Sequence, residues 1–185
     1  MDHYLDIRLL PDPEFSAPML MNALFAKLHR TLAADASIDI AISFPDATAS
    51  HLGRVMRLHG SVARLTAHMT KTWLGGMRDH LEITRVEPVP PMAVPYQVRR
   101  VQAKSNAARL RRRYLKRHPT TDSSSVVELI PDRVERLLAL PHLRINSTSS
   151  GQQFLLFIQQ TQAPETRTGE FNSYGLSSTA TVPWF

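Results

Sequence analysis

Leucine recurs at every fourth position from Leu20 through Leu24 and Leu28 to Leu32. At about 100° per residue that spacing draws one apolar stripe along a helix over residues 17–34, with Ser16 placed to cap it. Such a stripe must be covered, and the sequence around it supplies strands to cover it. Before the helix, Leu5, Ile7 and Leu9 alternate with Tyr4, Asp6 and Arg8, the pattern of a half-buried strand over residues 4–10, ended by Asp12-Pro13. After it, Ile38, Ile40, Ile42 and Phe44 mark a second strand, stopped by Pro45-Asp46. Residues 54–59 read as a third, leading through Gly60-Ser61 into a helix with Val62, Leu65 and Met69 inward, and residues 81–86 as a fourth. The order is β-α-β-β-α-β. A right-handed split βαβ arrangement, the ferredoxin-like sandwich, satisfies the connection rules most simply.

Residues 87–95 (EPVPPMAVP) hold four prolines and predict an extended linker. The chain is therefore expected to divide into a ferredoxin-like domain over 1–95 and a second α+β domain over 96–185. The second half reads as a strand at 98–102, a basic helix at 107–118, a polar loop at 120–125 and a helix at 131–140. A hairpin at 143–145 and 153–160 follows around a Ser/Thr/Gly loop, then closing strands or a docked tail at 171–176 and 182–185. The fold class is α+β.

Charge is gathered in one place. Residues 98–118 hold nine Lys/Arg and no Asp/Glu, so this window carries +9 against −1 before it and −2 after it. The whole formal excess of +6 comes from here. Ser105 or Asn106 can cap the helix, and Pro119 stops it. On that helix Arg109, Arg112, Arg113, Lys116 and Arg117 fall within an arc of roughly 140°, with Leu110, Tyr114 and Leu115 on the other side. No acidic residue lies in the helix to pair with these cations, so an anionic partner is expected to neutralise them.

Several chemistries find no support. With no cysteine there is no disulfide, thiolate metal site or Cys nucleophile. No apolar run approaches the roughly 20 residues that span a bilayer, and MDHYLDIRLLPDPEF is acidic and proline-punctuated, unlike a signal peptide; a cytoplasmic protein is expected. The histidines nearest one another, His51, His59 and His68, lack metal-ligand spacing, and no P-loop, nucleophile elbow or HExxH occurs, so no metal and no cofactor are expected. His29 is distinguished by position, beside Leu28 at the edge of the stripe and near the helix end. The loop Asn146-Ser147-Thr148-Ser149-Ser150-Gly151 offers hydroxyls and backbone donors suited to a phosphate.

The opening MDHYLDIRLLPDPEF, ALFAKLH ending at His29, SFPD at 43–46, RVQAKSN at 100–106, RLRRRYLKRH, SGQQFLLFI at 150–158, SYGLS at 173–177 and the terminal VPWF occur in order across the whole chain. Together they resemble the CRISPR repeat-processing endoribonuclease of type I-F systems, the Csy-four member of the Cas-six family. The resemblance implies an N-terminal ferredoxin-like domain and a C-terminal domain with an arginine-rich helix. It further implies binding to the CRISPR repeat RNA hairpin, one cut at the 3′ base of the stem, and retention with other subunits of the type I-F surveillance complex, without a membrane.

By the same resemblance His29 is the catalytic histidine, Ser147 orients the ribose 2′-hydroxyl and Tyr174 helps position the histidine. Arg100 and Gln102 read base edges at the foot of the stem, and Phe154 stacks on the terminal base pair. Arg112, Arg113, Lys116, Arg117 and His118 lie along the major groove, with Ser105 and Arg109 in the same RNA-binding set. Ser149 and Ser150 contact the phosphate, and Ser147, Thr148, Ser149 and Ser150 remain rivals for the scissile group. A histidine base and a serine that holds the nucleophile in line suit metal-free RNA cleavage near neutral pH. The competing readings are a non-catalytic hairpin-capping protein and a basic helix that docks on anionic membrane.

Overall fold

A computed structural model describes residues 1–102, 107–119, 122–130, 138–146, 151 and 153–185, with Ala108, Arg109 and Ser123 described by backbone alone. The elements are β1 (His3–Leu9), α1 (Ala17–Ala34), β2 (Ala41–Ser43), β3 (Val55–Gly60), α2 (Val62–Met69), β4 (Leu81–Ile83), β5 (Glu87–Pro88), β6 (Val94–Val101), α3 (Ala107–Arg117), α4 (Ser123–Leu129), β7 (His142–Asn146), β8 (Gln153–Gln162) and β9 (Val182–Trp184). The chain is α+β and forms two compact units, Met1–Val101 with Leu140–Phe185, and Gln102–Ala139.

The larger unit holds two antiparallel sheets. One runs β2-β3-β1-β4, with β5 added against the start of β1; the other runs β7-β8-β6-β9. β1 pairs with β3 from His3 opposite Gly60 to Arg8 opposite Val55, which leaves Leu5, Ile7 and Leu9 on the covered face. The α1 stripe behaves as its spacing demands: Leu20, Leu24, Leu28 and Leu32 are all buried, joined by Met21 and Phe25. Their cluster is continuous with Val98, Leu143, Ile145, Leu156, Ile158 and Val182 of the second sheet, so both sheets close on one core.

That common core changes the meaning of the proline-rich stretch. Glu87 and Pro88 pair with Tyr4 and His3, and Val94 and Pro95 already belong to β6, opposite Trp184 and Pro183. The segment crosses from one sheet to the other within a single compact unit, and the expected division at residue 95 falls inside β6. Proline is tolerated in β5 because that strand lies at a sheet edge, and at Pro95 because the residue opposite it in β9 is Pro183, so no N–H is exchanged at that pair.

β3 is more enclosed than an alternating strand, all six of its residues being buried. Its two polar side chains, Arg57 and His59, each find a partner within the fold. Arg57 makes a bidentate pair with Asp6, at 2.7 and 2.9 Å, donates to the Phe185 carbonyl and lies under the rings of Tyr4 and Phe185. His59 shares a 2.8 Å hydrogen bond with Ser43 Oγ, and burial pushes its pKa down to about 3. Phe185, which follows β9 of the second sheet, thus packs against the first.

Several expectations are refined. Residues 120–125 do not form a loop throughout, because Asp122 caps α4, its carboxylate accepting from the Ser124 backbone N–H. Of the two alternatives for residues 171–176, the closing strand does not form and the segment is a docked turn, while Ile38 is exposed outside β2. The expected helix at 131–140 lies outside the described residues over 131–137, and residues 138–140 are not helical.

Candidate functional site

α1 carries His29 one turn from its end, half-buried at the edge of the leucine stripe. Its ring is held from two directions by one turn, Asn172 to Leu176. The Nδ1 atom lies 2.8 Å from the Ser173 carbonyl oxygen, and the ring stacks on Tyr174 with centroids 4.1 Å apart and planes 16° from parallel. Tyr174 is stacked in turn at 6.0 Å on Phe25, one helical turn before His29 on α1. A carbonyl oxygen only accepts, so in the neutral imidazole Nδ1 carries the proton and Nε2 keeps its lone pair. The arrangement supplies an oriented ring with a defined proton acceptor.

The turn is anchored independently of the histidine. The Ile42 backbone N–H donates to the Gly175 carbonyl at 3.0 Å, and the Phe171 N–H to the Ile38 carbonyl. Gly175 has φ +70°, and a Cβ there would come within 2.9 Å of Ile42 Cγ2, so the close approach to β2 requires glycine. On its other side α1 meets β7: Asn22 Oδ1 accepts from the Arg144 backbone N–H at 2.9 Å. β7 and β8 pair from His142–Phe157 to Asn146–Gln153, the flanks of the serine loop. Ser147, Ser149 and Ser150 lie outside the described residues, as does Ser105.

Arg100 and Phe154 are brought together in the second sheet, the guanidinium 5.3 Å from the ring centroid. Arg100 is exposed, so its fork remains open to a ligand while the ring face supports it. Gln102 is exposed and belongs to the smaller unit. Within that unit Arg112, Arg113, Lys116, Arg117 and His118 are exposed, whereas Leu110, Tyr114 and Leu115 are half-buried. The His118 ring leans on Tyr114 at 4.4 Å. Arg109 lies in α3, its side chain outside the described atoms.

Some contributors were not foreseen from sequence. Arg111 falls on the inward side of α3 and donates from Nε to the Ile130 carbonyl at the end of α4. Ser173 acts through its backbone, for which no side-chain pattern exists. Asn172 and Gly175, three apart, do carry a turn signature, but not the information that the turn seats a histidine. Among the described residues no group of three or more His, Asp or Glu is placed to hold a metal ion, and no helix is long and apolar enough to cross a membrane.

A family model described as CRISPR-associated protein (Cas_Csy4) matches residues 4–185. The chain belongs to this family. Two curated relatives match it end to end, both named CRISPR-associated endonuclease Cas6/Csy4. The one from Escherichia coli (strain UTI89 / UPEC) is 48% identical over 186 residues, and the one from Pseudomonas aeruginosa (strain UCBPP-PA14) is 49% identical over 193 residues, each alignment covering 100% of both chains. A crystal structure of the CRISPR RNA processing endoribonuclease Cas6b aligns over 98% of this chain and 100% of that one, at 13% identity and a TM-score of 0.33. The membership expected from the scattered motifs is borne out by the family match and the full-length relatives.

Proposed function

We propose that this protein processes precursor CRISPR RNA as an endoribonuclease. It binds the repeat stem-loop, cuts once at the 3′ base of the stem without a metal ion, and stays on the mature guide RNA in the cytoplasm with the other subunits of the type I-F surveillance complex. Family membership and the relatives' names support the activity class. The observation that carries the mechanism is the Nδ1 contact of His29 with the Ser173 carbonyl, which leaves Nε2 as the base.

In this reading Nε2 takes the proton of the 2′-hydroxyl beside the scissile phosphate. The 2′-oxygen attacks phosphorus, the bond to the 5′-oxygen breaks, and that oxygen takes up a proton from solvent, balancing the one His29 removed. The products are a 2′,3′-cyclic phosphate and a 5′-hydroxyl. RNA supplies its own nucleophile, so the protein's tasks are proton removal and in-line positioning. Ser147 takes the positioning role, with Ser149 and Ser150 on the phosphate and Tyr174 behind the imidazole.

Binding divides between two groups. Arg112, Arg113, Lys116, Arg117 and His118, with Arg109 and Ser105, grip the phosphates of the stem. An A-form major groove is narrow, but a short stem opens it at its end, where thin guanidinium forks can enter. Arg100 and Gln102 read purine edges at the foot of the stem, with Phe154 stacked on the last pair. The exposure of the α3 cations and the seating of Arg100 on Phe154 support this division. The strand order β2-β3-β1-β4, with every neighbour antiparallel, supports a ferredoxin-like sandwich of β1 to β4 with α1 and α2, and the later residues supply the RNA grip.

The test is incubation with the host's own repeat RNA in EDTA. One cut with a cyclic phosphate end is expected, His29→Ala is expected to bind the RNA uncut, and a 2′-deoxy sugar at the cut is expected to block cleavage but not binding. Cleavage of the deoxy substrate at the normal rate overturns the mechanism.

A further inference from the structure

Asn172 is exposed and its side chain makes no hydrogen bond to the imidazole or the phenol among the described residues, yet it shapes the turn that holds both. Its Oδ1 accepts the backbone N–H groups of Tyr174 at 2.9 Å and Leu176 at 3.3 Å. Its own carbonyl accepts from Gly175 N–H at 2.8 Å, and its N–H donates to the Leu176 carbonyl at 3.0 Å. Both groups facing the side chain are donors, so the amide stands with its oxygen inward.

The Tyr174 N–H and the Ser173 C=O belong to the same peptide unit. That unit is planar and trans, so its N–H and C=O point in opposite directions. With the N–H held by Asn172 Oδ1, the carbonyl is aimed the other way, where His29 Nδ1 meets it at 2.8 Å. A hydrogen-bond chain therefore runs from Asn172 through one rigid peptide to the imidazole. Each bond in such a chain polarises the next in the same sense.

We infer that Asn172 is a positioning residue for His29, acting across the Ser173–Tyr174 peptide to keep the proton on Nδ1 and the lone pair on Nε2. The inference rests on the reading of His29 as the base in RNA cleavage, but its structural half concerns only which ring nitrogen is protonated. Loss of Oδ1 frees the peptide to rotate, and the ring then samples the other tautomer, in which the reacting nitrogen holds a proton and cannot accept one.

Two variants of the full chain test it, Asn172→Ala and Asn172→Asp; the second retains an acceptor oxygen at the same reach. Long-range 1H–15N NMR of histidine-labelled protein reports the protonated nitrogen of His29, assigned by its loss in His29→Gln. Single-turnover cleavage and affinity are measured on the host repeat hairpin RNA. The wild type and Asn172→Asp are expected to show Nδ1–H and matching rates. Asn172→Ala is expected to populate Nε2–H and to cut about 10- to 100-fold more slowly at unchanged RNA affinity, the size of loss that misplacement of a reacting group produces. An Nδ1–H tautomer with a normal rate in Asn172→Ala overturns the inference, and so does an Asn172→Asp that behaves as Asn172→Ala. If the wild type leaves the RNA uncut while the tautomer shifts as expected, the positioning role stands and the nuclease reading fails.

Discussion

The imidazole of His29 and the phenol of Tyr174 lie face to face, 4.1 Å apart, although 145 positions separate them in the chain. No hydrogen bond to the Tyr174 hydroxyl occurs among the described residues, so the contact is made by the ring alone. Tyr174→Phe is expected to cleave within about twofold of wild type, and Tyr174→Ala about tenfold more slowly, in line with the worth of a stacked pair. Single-turnover rates on the repeat hairpin decide it; a large defect in the phenylalanine variant means that the hydroxyl acts directly.

Gly175 joins the histidine-bearing turn to the edge of β2. Alanine there meets Ile42 at 2.9 Å and must also adopt φ near +70°. Gly175→Ala is expected to cost about 1–3 kcal/mol in urea denaturation. Its cleavage rate should fall more than its RNA affinity, because the turn carries both supports of His29. Unchanged stability contradicts the packing described for this contact.

If five cations of α3 each neutralise one phosphate, log K for the hairpin falls against log salt with a slope of about −4. Arg112→Ala with Arg113→Ala is expected to reduce the steepness by about 2. Filter-binding titrations across a salt series measure both. A wild-type slope near −1 sinks the groove-insertion picture.

Arg57 and Asp6 are nearly buried, with side chains 10% and 14% exposed. Removing one partner leaves an uncompensated charge, so Arg57→Ala is expected to destabilise by about 3 kcal/mol. The double replacement Asp6→Leu with Arg57→Met, which removes both charges, is expected to recover most of that loss. Urea midpoints of the three proteins provide the comparison, and an additive double variant rules out the pairing as the source.

Acid should weaken the fold through two buried histidines. Burial, with Lys71 and Arg64 adding and Asp35 opposing, pushes His68 down to about 4 from an ordinary value of 6.5, and His59 is pushed to about 3. Unfolding restores the ordinary value, so the unfolded chain binds the additional protons between these limits. Stability is therefore present above about pH 6.5 and is lost as pH falls toward 4. His68→Phe is expected to flatten that dependence, since neither ring nitrogen has a hydrogen-bond partner among the described residues. Denaturation midpoints from pH 7 to 4.5 test it, and an unchanged slope in the variant refutes the assignment.

Much of this was legible in the residues. The four-residue leucine repeat specified α1 and its buried side, and the alternation of Leu5, Ile7 and Leu9 specified which face of β1 goes inward. Both patterns are local, because side-chain period alone decides them. The cation-rich ridge of α3 was equally plain, since charge and helical period are properties of the segment itself.

What lay beyond the sequence depended on which distant segments share a surface. The prolines of 87–95 suggested a linker between domains, but they cross between two sheets that bury one continuous core, and burial is decided by the partner across the interface. Nothing in Ser173 marks its carbonyl as the acceptor for His29, because every residue has a carbonyl and only packing aims one of them. The chain determined a histidine at the rim of an apolar stripe. Tertiary structure decided which nitrogen of that ring carries the proton, through one peptide plane delivered from the far end of the polypeptide.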